Sequence, residues 1–321
     1  MDKCVTSNIL GTFVFDENFK VVEHIDKPVL DGEWTSEEQT IIDKYDQDKL
    51  FYVGFKARKI PGIKISKDPK KQKEVSSYLK TQFKQFYEAN LKRTKQVIKD
   101  SVQNDLLTVQ TIKNIDEINK VANMLSKRLR EWYELYNPEF SNSIDDHETF
   151  INLILENDKK DLLEELKIEQ TMGADLKEED VEPILNLARK IKTLYELRDE
   201  QETYLESKMK LFCPNLLALA GTIIGAKLLA QAGDMRRLML MPASTIQVLG
   251  AEKALFRHIK TGARPPKYGV LINHPIVVKA DNKGKAARKL ADKICIGIKV
   301  DYFKGEFIGD KLRKQLESQS I

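Results

Sequence analysis

The chain has only three cysteines in 321 residues, Cys4, Cys213 and Cys295, far apart and in no CxxC or Cys/His pair. That spacing excludes a zinc ribbon and a disulfide framework and points to a reducing compartment. Histidine is equally sparse: His24, His147, His258 and His274 fall in four different segments, with no HExxH or GxSxG cassette around them. Neither GxxxxGK[ST] nor GxGxxG occurs. From Gly221 to Lys227 the chain comes near a phosphate loop, but Ala226 stands where the second glycine is required and Leu228 where Ser or Thr is. Long apolar runs are also missing. The best, Leu216 to Ala226, contains Gly221 and Gly225 and ends at Lys227, and the start MDKCVTSNILG has no basic stretch followed by an apolar core. No signal peptide, membrane span or membrane partner is expected. Without a convergent set of acid, base, nucleophile or metal ligands, no catalytic residue, no metal and no cofactor is expected either.

What is present suits a folded chain of two or three domains, 41% hydrophobic and 32% charged. The net charge of +4 hides a division. From Cys213 to Ile321 there are 19 Lys and Arg against 8 Asp and Glu, a balance of +11, which leaves 34 against 41, or −7, for residues 1–212. A basic C-terminal third joined to an acidic remainder suits a polyanion-binding domain, although a merely solvated basic face has the same composition.

Three segments differ in pattern. Short runs at Gly11 to Phe15, Val21 to Ile25 and Leu50 to Phe55 read as strands, with turns at Asp16-Glu17-Asn18 and Pro61-Gly62, and helical spacing takes over from Val75 to Leu107. This predicts an N-terminal α/β domain. Asn114 with Glu117 reads as a capping box. Behind it Ile118, Ala122, Leu125, Leu129, Trp132 and Tyr136 recur every three or four residues, up to Asn137-Pro138. A second helix from Pro183 puts Ile184, Ala188, Ile191, Tyr195, Leu205, Met209 and Phe212 on one seam, interrupted by Arg198 and Glu202. With a shorter helical insert, His147 to Met172, the two suit an antiparallel coiled-coil arm, with two core helices of one bundle as the alternative that periodicity leaves open. After Pro214, Ala218, Gly221, Gly225 and Ala232 line one face of a helix, which suits close helix packing. Carboxylates such as Glu164-Glu165 and Glu178-Glu179-Asp180 read as solvated helix faces.

The stretch from Met241 to Val277, MPASTIQVLGAEKALFRHIKTGARPPKYGVLINHPIV, carries the chemistry. A helix from Ser244 to the break at Thr261-Gly262 places Lys253, Arg257 and Lys260 on one face. Arg264, Lys267 and Tyr268 follow around the stiff Pro265-Pro266. A second cluster, Lys283, Lys285, Arg288 and Lys289, opens the next helix, where backbone amides also face anions. Cations on a helix and a stiff loop beside an aromatic and an imidazole suit phosphate contacts and stacking on an unpaired base. RNA binding is the expectation; DNA binding and a solvated face remain open from these residues alone.

PASTIQVLGAEKALFRHIKTGARPPKYGVLINHP closely resembles the Nop domain of the archaeal box C/D ribonucleoprotein core subunit, a relative of the eukaryotic nucleolar Nop proteins and of a spliceosomal pre-mRNA processing factor. The resemblance extends to WYELYNPEF (132–140), MGADL (172–176), PNLLALAG (214–221), GKAARKLADKI (284–294) and VDYFKGEFIG (300–309), and is looser through the N-terminal domain. It implies an α+β chain in three parts: an N-terminal α/β domain, 1–112, that holds the methyltransferase fibrillarin; an antiparallel coiled-coil arm, 113–212, that dimerises the protein; and a mostly helical Nop domain, 213–321. The Nop domain would clamp box C/D guide RNA already bound by a kink-turn-binding, ribosomal-protein-like subunit.

The implied function is a non-catalytic scaffold for RNA-guided 2′-O-methylation. Carried onto this sequence, the RNA and protein contacts are Gln247, Glu252, Lys253, Arg257, Arg264, His274, Lys285, Arg288 and Lys289, with His274 as the stacking group and Glu252 orienting a basic neighbour or meeting the partner protein. The arm contacts are Ile118, Leu125, Leu129, Trp132, Ile191 and Leu205. Ending at Ile321 without a long Lys/Glu-rich tail, the chain resembles the archaeal form, for which the cytoplasm is expected, the nucleolus only for a eukaryotic relative. Rival readings are a spliceosome-type Nop protein, a methyltransferase in its own right, which lacks a glycine-rich loop after a strand, and a coiled-coil protein that never meets RNA, which leaves the +11 unexplained.

Overall fold

The computed structural model describes residues 2–26, 36–45, 49–54 and 64–318. They form two compact units, Met1–Val102 and Gln103–Ile321, and together an α+β chain that is mostly helical with one small N-terminal sheet.

The first unit is built on strands β1 (Lys3–Asn8), β2 (Gly11–Phe15), β3 (Val21–Ile25), β4 (Leu50–Tyr52) and β5 (Lys64–Ile65), in the order β3-β2-β1-β4-β5. The β1–β2 and β2–β3 pairs are antiparallel, and β1–β4 and β4–β5 are parallel. The Asp16 turn forms as expected: its carboxylate accepts the amides of Asn18 (2.9 Å) and Lys20 (2.8 Å). The turn at Pro61-Gly62 lies outside the described residues. Helix α1 (Ser36–Lys44) brings Ile41 over Val5, Val14 and Leu50 on one face of the sheet. Helix α2 (Pro69–Thr81) brings Val75 over Cys4, Phe13 and Phe15 on the other. The helical pattern from Val75 to Leu107 is not one helix. It breaks at Gln82 to give α3 (Phe83–Asp100) and again after Asp100.

In the second unit two long helices, α4 (Asn104–Tyr133) and, after the insert, α8 (Glu178–Phe212), run antiparallel. Val109, Ile112 and Ile115 meet Leu205 and Met209 at one end, and Ala122, Leu129 and Tyr133 meet Ile184, Ala188, Ile191 and Tyr195 at the other. Asn114 is not a cap. It sits inside α4, which starts ten residues earlier because the 3.6-residue pattern of Thr108, Val109, Thr111 and Ile112 continues upstream. The expected domain boundary at 112/113 falls within this helix. Likewise α8 starts before Pro183, with Glu178, Glu179 and Asp180 placed at its positive end.

Of the arm residues, Ile118, Leu129, Ile191 and Leu205 are buried and Leu125 is half-buried, but Trp132 is 40% exposed. Four residues after Leu129 a side chain returns to the core face more closely than three residues after it, so Tyr133 fills the place expected for Trp132. The insert is α5 (Pro138–Ser141), α6 (His147–Glu156) and α7 (Lys159–Glu165). It is fastened by the Arg130 guanidinium, which donates to His147 Nδ1 (2.9 Å) and to the Ser141 carbonyl (2.7 Å) and stacks over Phe150. The interruption at Arg198 also serves the insert, through Glu148 (3.1 Å).

The rest is a helical bundle: α9 (Pro214–Ala220), α10 (Thr222–Ala232), α11 (Met235–Leu240), α12 (Ala243–Val248), α13 (Glu252–Thr261), α14 (Pro275–Val278), α15 (Lys283–Tyr302) and α16 (Gly309–Ser318). The small-residue face expected on one helix is divided, because Gly221 at φ 74° turns the chain between α9 and α10 through 116°. Among the described residues no single helix is long and apolar enough to cross a membrane. Leu216, Leu229, Ile246, Leu290, Ile294 and Ile298 make the core, which also takes in the ends of α4 and α8. The junction of α8 and α9 is latched by Asp301. Its carboxylate accepts the Asn215 amide N–H (3.0 Å), the Asn215 side-chain amide (2.7 Å) and the Leu216 amide (2.9 Å), while Asn215 Oδ1 accepts the Ile308 amide (2.7 Å).

Candidate RNA and protein interface

The basic stretch folds into helix α13 and two loops held by a short backbone brace. Gly269 N–H donates to the Gln247 carbonyl (2.9 Å) and Val270 N–H to the Leu249 carbonyl (2.8 Å). Such an approach needs glycine: a Cβ on Gly269 would lie 1.9 Å from the Leu249 oxygen. Gly250, at φ 88°, turns the chain into α13 and interrupts the continuous helix expected from Ser244. Glu252 reaches back to accept the Gly250 amide (2.7 Å), so its carboxylate fixes the entry to α13. The expected break at Thr261-Gly262 is present, with Gly262 left-handed at φ 66°. The His258 ring nitrogen is hydrogen-bonded to the Ala263 carbonyl and holds the exit.

Between these two fixed ends α13 buries no residue. Lys253, Arg257 and Lys260 are exposed along one face, as their spacing predicts. The neighbouring face exposes Phe256 (61%) and Ile259 (69%), which sequence reasoning missed. Their three-residue spacing was the available signal, but alone it reads as a core face. One short helix therefore shows a cationic stripe and an apolar stripe side by side.

Gln247 joins this region to the second basic cluster. Its side-chain amide donates to the Lys267 carbonyl (2.6 Å) and, more weakly, to the Gly284 carbonyl (3.5 Å), so the Pro265-Pro266 loop lies against the start of α15. The Lys267 stem packs on Gly284 and Asn282 caps the helix through the Lys285 amide (3.1 Å). Arg264 and Lys285 are exposed, Lys289 is half-buried, and Arg288 is exposed with Asp292 3.6 Å away. Tyr268 is half-buried against the bundle core.

The stacking role expected for His274 does not fit its place. His274 is only 9% exposed and caps α14, with Nδ1 accepting the Ile276 amide (3.3 Å). Burial, reinforced by the Arg313 charge, holds its pKa below the ordinary histidine value, which favours the neutral form that can accept. The arm residues Ile118 to Leu205 stand on α4 and α8, Leu129 and Ile191 in a separate cluster and Leu205 in the bundle core beneath this surface. No three His, Cys, Asp or Glu side chains converge as metal ligands among the described residues.

A protein-family model described as "Nop: snoRNA binding domain, fibrillarin" matches residues 114–320. An uncharacterized NOP5 family protein of Methanocaldococcus jannaschii is 39% identical over 245 residues, 70% of this chain and 59% of that protein. Human nucleolar protein 56 is 37% identical over 240 residues, 67% of this chain and 40% of that protein. The chain thus spans less than two thirds of the length of these relatives. One chain of a solved fibrillarin/Nop5p complex aligns over 98% of this chain and 99% of its own, at 24% identity and a TM-score of 0.44.

Proposed function

The chain belongs to the Nop family, and from that premise we propose that it is a non-catalytic scaffold of a box C/D ribonucleoprotein. In this reading Lys253, Arg257, Arg264, Lys285, Arg288 and Lys289 contact guide-RNA phosphates, and Gln247, Glu252 and His274 hold the loops that present them. The apolar stripe of α13 meets a kink-turn-binding, ribosomal-protein-like subunit. Residues 1–112 hold fibrillarin, which supplies the methyl-transfer chemistry for rRNA or tRNA. The chain pairs with a second copy through the arm, 113–212, and acts in the cytoplasm of an archaeal cell.

The observation that carries the reading is helix α13, which turns one cationic and one apolar face to solvent and is fixed at both ends. A helix that fully buries none of its residues, yet is hydrogen-bonded at both ends, suits a composite surface of RNA and protein. Support for self-association comes from exposed apolar residues away from the intrachain core: Val121, Met124 and Trp132 on α4, and Leu197, Tyr204 and Leu211 at seven-residue spacing on α8.

The test is a gel-shift titration of a kink-turn guide RNA at several salt concentrations, with and without the kink-turn-binding subunit. The partner should be needed for tight binding, and equal affinity without it would overturn the composite site. Calorimetry of the pure chain with S-adenosylmethionine should show no binding; micromolar affinity would overturn the non-catalytic assignment.

A further inference from the structure

Among the described residues of the first unit, helices cover both faces of the sheet, Ile41 of α1 on one side and Val75 of α2 on the other. Helix α3 is different. None of its 18 residues is buried, yet Phe83, Phe86, Tyr87, Leu91, Val97 and Ile98 are all large, apolar and exposed. At 100° per residue these six side chains fall in a sector of about 140° along about 22 Å of helix. The Phe83 and Tyr87 rings stack at 6.3 Å within it. The stripe has the period of a face meant to be covered.

We propose that the α3 stripe is the surface by which the N-terminal unit grips the fibrillarin-class methyltransferase, in an apolar groove with an acidic rim; this rests on the reading that residues 1–112 hold that partner. Elimination within the unit is the first argument. Among the described residues of the unit the other large exposed apolar side chains are Val22 and Ile65, single on the edge strands β3 and β5, and Val102, just beyond α3. Charge is the second. The helix carries five Lys and Arg against two acids, with Lys84 and Lys95 flanking the stripe on one side and Arg93 on the other. Two copies of this face would set lysine against lysine, so a second copy of the chain is disfavoured and an acidic-rimmed partner is favoured. Single-stranded RNA could stack on the three rings. Leu91, Val97 and Ile98 offer a base nothing comparable, and Lys92 and Lys99 lie on the far side of the helix. A protein groove uses the whole stripe.

The experiment titrates fibrillarin from the same source into the full-length chain and into Phe83→Ala/Tyr87→Ala/Leu91→Ala, with Lys92→Ala on the far side as control. Alanine keeps the helix and the three positions carry no core contact, so the fold is retained. The triple variant should bind fibrillarin at least 30-fold more weakly, with Lys92→Ala within twofold of wild type and kink-turn RNA binding, partner subunit present, unchanged in both. If wild type binds fibrillarin and the triple variant binds it equally, the α3 assignment fails while the scaffold reading stands. If wild type does not bind fibrillarin at all, both fail. A variant that keeps fibrillarin but becomes monomeric in light scattering, or loses only a 12-nucleotide single-stranded RNA, assigns the stripe to a second copy or to RNA and overturns the proposal.

Discussion

Replacing Gln247 with alanine separates the positioning of charge from charge itself. Gln247 carries no charge, yet its side-chain amide bridges the Lys267 carbonyl at 2.6 Å and the Gly284 carbonyl at 3.5 Å, tying the loop that bears Arg264 to the helix that bears Lys285 and Arg288. The backbone brace through its carbonyl to Gly269 survives the substitution. What is lost is one good hydrogen bond and one long one, about 0.5–1.5 kcal/mol in all, or a two- to tenfold loss in RNA affinity if that energy holds the binding conformation. The number of cations facing phosphate is unchanged, so the slope of log K against log salt should not move. Arg264→Ala or Lys285→Ala should instead flatten it by up to about 0.9 for duplex contacts or about 0.7 for single strands. Fluorescence anisotropy of a labelled kink-turn RNA from 50 to 300 mM salt, with the partner subunit present, reads both quantities. A Gln247→Ala slope that falls like that of Arg264→Ala would refute the reasoning, as would an affinity equal to wild type at every salt.

Three further outcomes are expected. Burial holds the pKa of His274 and His147 below the ordinary value near 6.5, so the folded chain binds fewer protons than the unfolded one; stability is full above about pH 6.5 and falls as pH drops below it. The depressed carboxyls Glu139 and Asp146 act only below about pH 5, and Asp301, whose carboxyl burial raises, acts with the opposite sign, so a fall in melting temperature between about pH 7.5 and 5.5 carries the sign of the histidines. His274→Asn keeps an acceptor for the Ile276 amide, and with His147→Asn it should shrink the drop in melting temperature; an unchanged drop in the double variant argues against this origin. Gly269→Ala should cost about 2–3 kcal/mol in urea unfolding, because its Cβ would collide with the Leu249 carbonyl, whereas Gly262→Ala, with nothing within 4 Å and only its φ of 66° to oppose it, should cost about 1 kcal/mol. Met124→Glu with Trp132→Glu should give a monomer in light scattering without loss of helix, since both side chains are exposed on α4, and a surviving dimer would move self-association elsewhere.

Strands β2 and β3 were legible because they alternate or cluster apolar residues between clear turns. β1 was not, since Cys4, Val5 and Thr6 are buried in succession between two helical layers and leave no alternation to read. The capping box at Asn114 was a sound local signal, overridden by a helix already under way at Asn104. Trp132 was misplaced because a strict three-four alternation was carried one step further than a 3.6-residue helix follows it. At the candidate interface, exposed cations announce themselves by charge. The bridge from Gln247 to Lys267 and Gly284 spans up to 37 positions of sequence and exists only once the chain has folded. His274 beside Pro275 looks the same in sequence whether its ring faces solvent or the interior.

The Asp301 latch turns the long helix pair into a pointer. Helix α8 runs about 50 Å from its root, so each degree of tilt there moves its far end by nearly 1 Å. The root is gripped by a residue 86 positions downstream, through three N–H groups on Asn215 and Leu216. Aim is therefore set from inside the bundle. Whatever the far end of the helix pair engages is placed relative to the basic surface by contacts at the root, and a defect at Asp301 would be felt as a missed target about 50 Å away.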